Sequence, residues 1–356
     1  MGEKISVKQG IPKSKITKFI IGLMAFIIVS AIVVLTLFRN ELRTIASIRK
    51  ISDRPIYEMT YYGDYAFDKY LETGAKTPEE LLDFGRKNLA YGLFDVWTNG
   101  FDTRGCAAFI AQTPDGDVIM GRNFDYYPTM PAVLRTNSKT GHKSLSILSY
   151  AFFGWDNKTD DSKLKSKLMT LAAPYVIVDG INEKGLAVAC LTLASSRAPV
   201  DEDKVSLFDS TILRLMLDKV GTVDEAIDLI QQYNVSLYNR SPSHYFFADA
   251  TGHSAVVEFL YGEMKVTYKQ GDYQIVTNFR IDSHPNPRNA CSRYRGIDDF
   301  LLESKGIITV DEALNLLQEQ AVPGLEEWSV VYNLTQKTMS LTVYEDYDTV
   351  YYYELD

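Results

Sequence analysis

The most apolar stretch of the chain lies near its start, where residues 19–38 contain no charged side chain. At about 1.5 Å per residue, a helix of this length spans the roughly 30 Å core of a bilayer. A cleaved signal peptide normally has a shorter apolar core followed by a small-residue cleavage site. Here Arg39 and Arg43 follow directly. The pattern therefore favours an uncleaved transmembrane anchor over a signal peptide.

The orientation of this span follows from its place in the chain. Basic residues are equally common on its two sides, so the positive-inside rule does not decide. The basic tail of residues 1–18 is short, and the whole body of the chain follows the span. This arrangement is typical of a type II signal anchor. We expect a single-pass protein of the cell membrane, bound to the lipid bilayer through residues 19–38, with its body outside the cytoplasm.

A helix start stands out after the span, in Thr77-Pro78-Glu79-Glu80. Threonine suits the N-cap, proline the first helical position and glutamate the third. An amphipathic run continues through Leu89. We therefore expect residues 39–105 to pack on the body of the chain rather than to form a free linker.

From residue 106 onward, apolar periods of two and of about 3.6 alternate in blocks. The pattern predicts strands at 174–179, 186–193, 245–248, 255–261, 264–268, 274–278, 328–334, 339–344 and 350–354. It predicts helices at 208–220, 222–233 and 291–303, and another that starts at Thr309. Groups of strands separated by two helix pairs indicate an α+β fold, arranged as a four-layer αββα sandwich.

Composition narrows the classes of function. A net charge of −9 and the absence of a basic cluster in the body argue against nucleic-acid binding. Three cysteines are too few for a disulfide scaffold, although a Cys190–Cys291 bridge stays possible outside the cell. The four histidines are scattered, so we expect no metal site and no cofactor.

The candidate chemistry lies in a predicted hairpin. Cys106 heads an apolar strand, a turn follows at 114–116, and the return strand carries Arg122 and Asp125. Alternation places Arg122 and Asp125 on opposite faces unless a bulge intervenes, yet the hairpin can bring all three residues near one end. A guanidinium favours the thiolate, and a carboxylate can orient an amine or hold the arginine.

This hairpin resembles the nucleophile hairpin of the choloylglycine hydrolase family of N-terminal-nucleophile amidases. That family includes bile-salt hydrolases and penicillin V acylases and is related to acid ceramidase and N-acylethanolamine acid amidase. The cysteine is followed by arginine after sixteen residues and by aspartate three residues later. Residues 179–186 resemble the family's second hairpin, Thr277-Asn278 its oxyanion asparagine, and Ser292-Arg293-Tyr294 its late arginine.

The resemblance implies a cysteine amidase that cuts a linear, non-peptide N-acyl amide through an acyl-enzyme on Cys106. Self-cleavage at Gly105–Cys106 would free the α-amine that serves as the base. In this scheme Asp125 orients the amine and Arg122 sets the field around the thiol. The other assigned positions are Asn278 as oxyanion donor, Arg293 in the charge network, and Thr192 and Tyr126 at the substrate; Thr192 stands where the bile-salt branch has a second asparagine.

The resemblance also divides the chain. Residues 57–65 are similar to the acid ceramidase branch, which keeps its pro-segment bound after cleavage. We expect a tail at 1–18, an anchor at 19–38, a pro-segment at 39–105 and an amidase domain at 106–356. The partners expected are a small-molecule N-acyl amide and the bilayer, while the particular amide and the oligomeric state stay open.

Two other functions remain possible on the residues alone. A Cys/His hydrolase would pair Cys106 with His244, His253 or His284. An anchored binding or sensor domain on the same fold would be non-catalytic. Replacing each histidine in turn and alkylating Cys106 would separate these alternatives from the amidase.

Overall fold

A computed structural model of the chain describes residues 13–92, 105–125, 130–156, 158–159, 162–193, 196–237 and 243–355. The helices are α1 (Lys13–Leu37), α2 (Arg39–Ala46), α3 (Phe67–Thr73), α4 (Pro78–Asn88), α5 (Leu164–Met169), α6 (Ile212–Lys219), α7 (Val223–Ile230), α8 (Pro287–Ala290), α9 (Ser292–Glu303) and α10 (Val310–Glu319). The strands are β1 (Arg49–Lys50), β2 (Tyr57–Tyr61), β3 (Gly105–Gln112), β4 (Val118–Asp125), β5 (Pro131–Thr136), β6 (Ser144–Ser149), β7 (Asp179–Asn182), β8 (Ala187–Thr192), β9 (Ser206–Phe208), β10 (Asn234–Ser236), β11 (Ser243–Ala248), β12 (Ser254–Leu260), β13 (Glu263–Tyr268), β14 (Gln274–Thr277), β15 (Glu326–Asn333), β16 (Thr338–Val343) and β17 (Asp346–Glu354).

Two large sheets form the centre of the described part of the chain. One has the strand order β1-β2-β5-β6-β7-β8-β11-β12-β13, and the other β14-β3-β4-β15-β16-β17. Side chains from both sheets, such as Ala108 and Val188, belong to one continuous buried cluster. The main core therefore lies between the sheets.

Helices cover the outer faces of both sheets. The outer face of the six-stranded sheet packs on α9 and α10, where Phe109 and Val331 meet Ile297 and Leu317 in a second buried cluster. Helices α6 and α7 contact strands β7, β8 and β11 of the other sheet. The layers thus run helix, sheet, sheet, helix, and the fold is a mixture of helix and strand as the sequence pattern predicts.

The prediction of a strand at 174–179 is wrong. Residues Thr170–Tyr175 form a 3₁₀ helix that includes Pro174, and strand β7 begins only at Asp179. Proline cannot donate to a strand ladder, and its fixed φ suits a helical turn. The prediction also placed a helix start at 208, but β9 ends at Phe208 and α6 begins at Ile212.

The segment before the hairpin is built into the core. Strand β2 pairs in parallel with β5 over five residues and extends the nine-stranded sheet. Thr77 caps α4 by accepting the backbone N–H of Glu80 at 3.2 Å, which confirms the predicted helix start. The Tyr65 hydroxyl donates to the buried Asp218 of α6 at 2.7 Å. Residues 39–92 therefore share both sheet hydrogen bonds and buried contacts with the body.

Helix α1 contains an apolar span at Thr17–Leu37 with a mean hydropathy of 2.9, none of which is buried against the rest of the described chain. Its length and composition fit a membrane crossing. A signal sequence near an N-terminus has the same two properties.

Truncating Phe67 tests how strongly the N-terminal segment contributes to the fold. Its ring is 1% exposed and packs between Tyr65, Tyr70 and Tyr175. Phe67→Ala should lower the free energy of unfolding by about 3–5 kcal/mol, because it leaves a cavity the size of a ring. Urea titration of the full chain in detergent measures this loss. Leu302→Ala, at a position 63% exposed, should change the free energy of unfolding by less than about 0.5 kcal/mol. If both substitutions changed it equally, the segment before Gly105 would not be part of the folded core.

Candidate active site

The β3–β4 hairpin brings the three candidate residues to one end of the six-stranded sheet. Cys106 pairs with Phe124, Ala108 with Arg122, and Gly105 with Asp125. Directly paired residues project to the same face, and successive residues alternate. The Cys106 thiol and Arg122 therefore point into the core between the sheets, whereas Asp125 lies on the outer face. The register thus places Arg122 and Asp125 on opposite faces of the sheet, as the sequence predicts.

On the inner face, Arg122 connects the thiol to the second sheet. Its Nη2 lies 3.5 Å from Cys106 Sγ and donates to the carbonyl of Cys190 at 2.8 Å. Its Nη1 forms an ion pair with Asp179 on β7, and both side chains are fully buried. Trp328 Nε1 also donates to Asp179 at 3.1 Å. The guanidinium is thus held charged beside the thiol by a carboxylate from the facing sheet.

On the outer face, a chain of polar contacts reaches the backbone nitrogen of Cys106. Arg293 on α9 forms an ion pair with Asp125, and its Nη2 donates to Asn278 Oδ1 at 2.8 Å. The same Asn278 oxygen accepts the backbone N–H of Cys106 at 2.6 Å. Asn278 directly follows β14, which pairs with β3, and this pairing fixes the asparagine beside the cysteine. Cys106 is therefore contacted on both faces of the sheet, through its sulfur and through its backbone nitrogen.

Gly105 lets Asp125 lie against the peptide bond that precedes Cys106. A Cβ at position 105 would stand 2.5 Å from Asp125 Oδ2, far inside van der Waals contact. Gly105 is part of the regular strand β3, so the requirement for glycine is one of close approach and not of an unusual backbone conformation. Any side chain here would displace the carboxylate.

Thr192 takes part through its backbone. Its carbonyl accepts the Nδ2 of Asn278 at 2.9 Å, and a hydrogen bond from its backbone is among the effects that lower the pKa of the Cys106 thiol. One side-chain N–H of Asn278 therefore donates to Thr192, while its side-chain oxygen accepts the backbone N–H of Cys106. Tyr126, the other predicted substrate contact, lies outside the described residues.

The thiol of Cys106 is neutral in this uncut chain. Burial raises the pKa of the thiol to about 11, because the charged form would lose its solvation. The Arg122 guanidinium acts in the opposite direction, and the Asp125 carboxylate adds to the rise. A thiolate at neutral pH therefore needs a further base or a more open site.

His244, one of the three histidines of the Cys/His alternative, is bound to a buried glutamate. His244 is buried with its Nδ1 3.2 Å from Glu258 Oε1, and Glu258 also accepts the backbone N–H groups of Ile281 and Asp282. This pair supports the loop between β14 and α8. No group of three histidine, cysteine or acidic side chains suitable for a metal ion occurs among the described residues.

Two buried carboxylates at the site were missed by sequence reasoning. The sequence alone places Asp179 only in the second hairpin and does not single out Glu326. A buried arginine needs a counter-ion, so an aspartate that opens a short apolar strand was the available signal for Asp179. Nothing in the local sequence distinguishes Glu326 from its neighbour Glu327.

The described residues place Cys106 near the start of β3 and Arg122 beside it on β4, within a helix–sheet–sheet–helix fold. The model of the linear amide C–N hydrolases, choloylglycine hydrolase family, matches residues 106–297. The chain belongs to this family, whose members hydrolyse carbon–nitrogen bonds in linear amides.

Individual relatives are more distant. The penicillin V acylase of Pectobacterium atrosepticum is 33% identical over 111 residues, which cover 28% of this chain and 29% of that protein. The match thus spans less than a third of the curated relative. Two structures of conjugated bile acid hydrolase variants from Clostridium perfringens, 18% and 17% identical, each superpose with a TM-score of 0.52 over 70% of this chain and 92% of theirs. They are similar in fold.

Alkylation should distinguish Cys106 from Cys291 by pH. In uncut molecules, the rate at Cys106 should rise about tenfold per pH unit from about pH 7 to pH 10 without a plateau, because its pKa is about 11. Burial acts to raise the pKa of Cys291, but hydrogen bonds from Tyr294, Thr277 and Arg293 lower it overall, so its rate should level off first.

Iodoacetamide treatment followed by peptide mass mapping measures both rates in one sample. Peptides that still join Gly105 to Cys106 report uncut chains alone. A Cys106 rate that levelled off below about pH 9 would contradict the buried, neutral thiol.

Proposed function

We propose that this chain is a membrane-anchored cysteine amidase that hydrolyses a linear N-acyl amide through an acyl-enzyme on Cys106, after self-cleavage at Gly105–Cys106. The observation that carries the proposal is that separate contacts fix the sulfur and the backbone nitrogen of Cys106. Its sulfur lies 3.5 Å from the Arg122 guanidinium, and its nitrogen is bound to Asn278 Oδ1 at 2.6 Å. A nucleophile that uses its own amine as the base needs both atoms fixed.

Self-cleavage would begin with the Cys106 thiol. The sulfur attacks the carbonyl carbon of Gly105, the peptide C–N bond breaks, and the nitrogen takes up a proton to become the free α-amine. Water then hydrolyses the Gly105 thioester and releases a carboxylate. Asp125 lies against Gly105 on the outer face, where its charge can orient the new amine.

Turnover would use the same atoms. The amine of Cys106, with an ordinary pKa near 8, takes the thiol proton, and the thiolate attacks the substrate carbonyl. The tetrahedral intermediate collapses as the amine gives its proton to the leaving nitrogen. Water, deprotonated by the same amine, then hydrolyses the thioester to release the acid.

The remaining polar groups have separate roles in this proposal. Arg122, kept charged by Asp179, favours the thiolate. Asn278 presents its second Nδ2 hydrogen to the oxyanion, since Thr192 takes the first. Arg293 holds both Asp125 and Asn278 in place.

The substrate is proposed as a class. Penicillin V and conjugated bile acids, which the names of the relatives contain, are compounds with an amide bond between an acyl group and an amine. We propose an N-acyl amide of this general kind. Incubating the protein with N-acyl amino acids, N-acylethanolamines, ceramide, penicillin V and glycine conjugates, with detection of free amine, identifies the preferred member.

Two substitutions test the proposed nucleophile and oxyanion donor. Cys106→Ala should abolish both cleavage and turnover, whereas Asn278→Ala should lower turnover by about a hundred- to a thousandfold through loss of one donor. Intact mass and N-terminal sequencing report cleavage, and amine release reports turnover. The fully active enzyme should carry Cys106 at a new N-terminus. Activity from a chain that stays uncut would defeat the self-cleavage step.

The anchor makes a separate prediction. We propose that residues 19–38 stay in the mature protein and hold the body outside the cytoplasm. Carbonate washing should leave the chain in the membrane pellet, and deletion of residues 1–40 should release it, because the span supplies the apolar length. A mature protein that begins near residue 40 and washes off would show a cleaved signal sequence instead.

A further inference from the structure

Two acidic side chains lie next to each other at the head of the hairpin. Asp125 ends β4, and in the sheet register it lies opposite Gly105 on one side and Glu326 on the other. Directly paired residues share a face, so both carboxyl groups are on the outer face of the sheet. Asp125 is 1% exposed and Glu326 is 3% exposed. Bulk water therefore cannot solvate a charge on either carboxyl group.

Each carboxyl group has one oxygen with a donor and one without. Glu326 Oε1 accepts the backbone N–H of Phe124 at 3.0 Å, and Asp125 Oδ2 binds Arg293. Asp125 Oδ1 and Glu326 Oε2 are buried and have no hydrogen-bond donor among the described residues. Two bare carboxylate oxygens are costly to bury, and one shared proton satisfies both.

We propose that Glu326 is a protonated carboxylic acid that donates from Oε2 to Asp125 Oδ1 and so positions Asp125 beside Gly105 and the nitrogen of Cys106. Arg293 decides which partner holds the proton. Its guanidinium binds Asp125, which places the negative charge there and leaves the neutral form to Glu326. The effect on catalysis rests on the proposed function, whereas the carboxyl pair itself does not.

The surroundings of Glu326 favour the neutral form. Burial raises its pKa well above the ordinary value, and the adjacent Asp125 charge raises it further. Among the described residues, the titratable groups that act on the pair from the packed elements are Cys106 on β3, whose thiol lies on the opposite face of the sheet, Arg293 on α9 and Tyr347 on β17. Of these three, Arg293 is the cation, and it is bound to Asp125.

A bulge in strand β15 places Glu326 opposite Asp125. The β4–β15 register shifts between Glu326 and Trp328, so Glu327 is the inserted residue of a bulge between two successive steps of the ladder. Bulges of this kind redirect side chains next to active sites. Here the Glu326 side chain takes the place of a backbone acceptor for Phe124. The carboxyl group is thereby fixed through Oε1, and Oε2 is the oxygen that remains for its ladder neighbour Asp125.

Infrared spectroscopy of the unmodified protein tests the protonation state first. At about pH 8, where ordinary carboxyl groups are ionised, the wild-type protein should show the C=O band of a protonated acid. The band should shift when glutamate carboxyls are labelled with ¹³C. It should disappear in Glu326→Gln and persist in Glu327→Gln, the matched control one residue along. An absent or unshifted band in the wild type overturns the proposal without any variant.

Activity then tests the positioning role. Glu326→Gln can still donate to Asp125 and accept from Phe124, so turnover at neutral pH should stay within about threefold of wild type. Glu326→Ala removes the donor and should lower it about tenfold to a hundredfold. As the pH rises and Glu326 ionises, wild-type turnover should fall together with the infrared band. The Gln variant should not fall over that range.

The outcomes separate the two proposals. Equal losses in the Gln and Ala variants would show that Glu326 acts as a charged base, and would overturn the neutral-acid role. If turnover fell at the same alkaline pH in the wild type and in Glu326→Gln, the neutral-acid role would also be overturned. A wild-type protein that shows the band but hydrolyses no amide would remove the amidase proposal and leave the carboxyl pair intact.

Discussion

The buried ion pair between Arg122 and Asp179 is the constraint on which the rest of the site depends. Arg122 belongs to the six-stranded sheet and Asp179 to the nine-stranded sheet, and both are fully buried. Losing one partner of such a pair leaves an uncompensated charge and typically costs about 3–5 kcal/mol. The two sheets are therefore held in one relative position at the thiol. Trp328 and Cys190 add contacts from a strand of each sheet, so the position of the charge beside Cys106 is set by the whole sandwich.

On the outer face of the six-stranded sheet, the constraint is steric. Gly105, Asp125 and Glu326 lie side by side across three neighbouring strands, and the missing side chain of Gly105 is what admits the Asp125 carboxylate. The arginine on each face has a distinct task. Arg122 acts on the sulfur, whereas Arg293 arranges Asp125 and Asn278 around the nitrogen. Alternation along one strand pair thus separates the two atoms of a single cysteine into two electrostatic environments.

The local pattern was sufficient to predict much of this arrangement. The Cys106 hairpin, the Thr77 cap and the helix at 291–303 depend on short-range periodicity and capping, and the structure has all three. The strand predicted at 174–179 failed because Pro174 favours a helical turn there. Asp179 and Glu326 could not be assigned because their importance comes from pairing across sheets and across a bulge. These partners lie 57 and 201 positions away from Arg122 and Asp125, so local periodicity does not identify them, although an aspartate at the start of a short strand is a sign of Asp179.

The placement of β2 has a consequence for how the molecule would remain on a membrane. Helix α1 and strand β2 both precede Gly105, while the Cys106 thiol, the proposed nucleophile, follows it. If the chain is cut there as proposed, no covalent bond would join helix α1 to the half that carries the sulfur. The links left in the described part of the chain would be noncovalent, and they include the parallel β2–β5 ladder and the buried aromatic rings around Tyr70. The enzyme would then be a two-chain assembly, and mild denaturant could strip its catalytic half from the bilayer while the anchor stays behind.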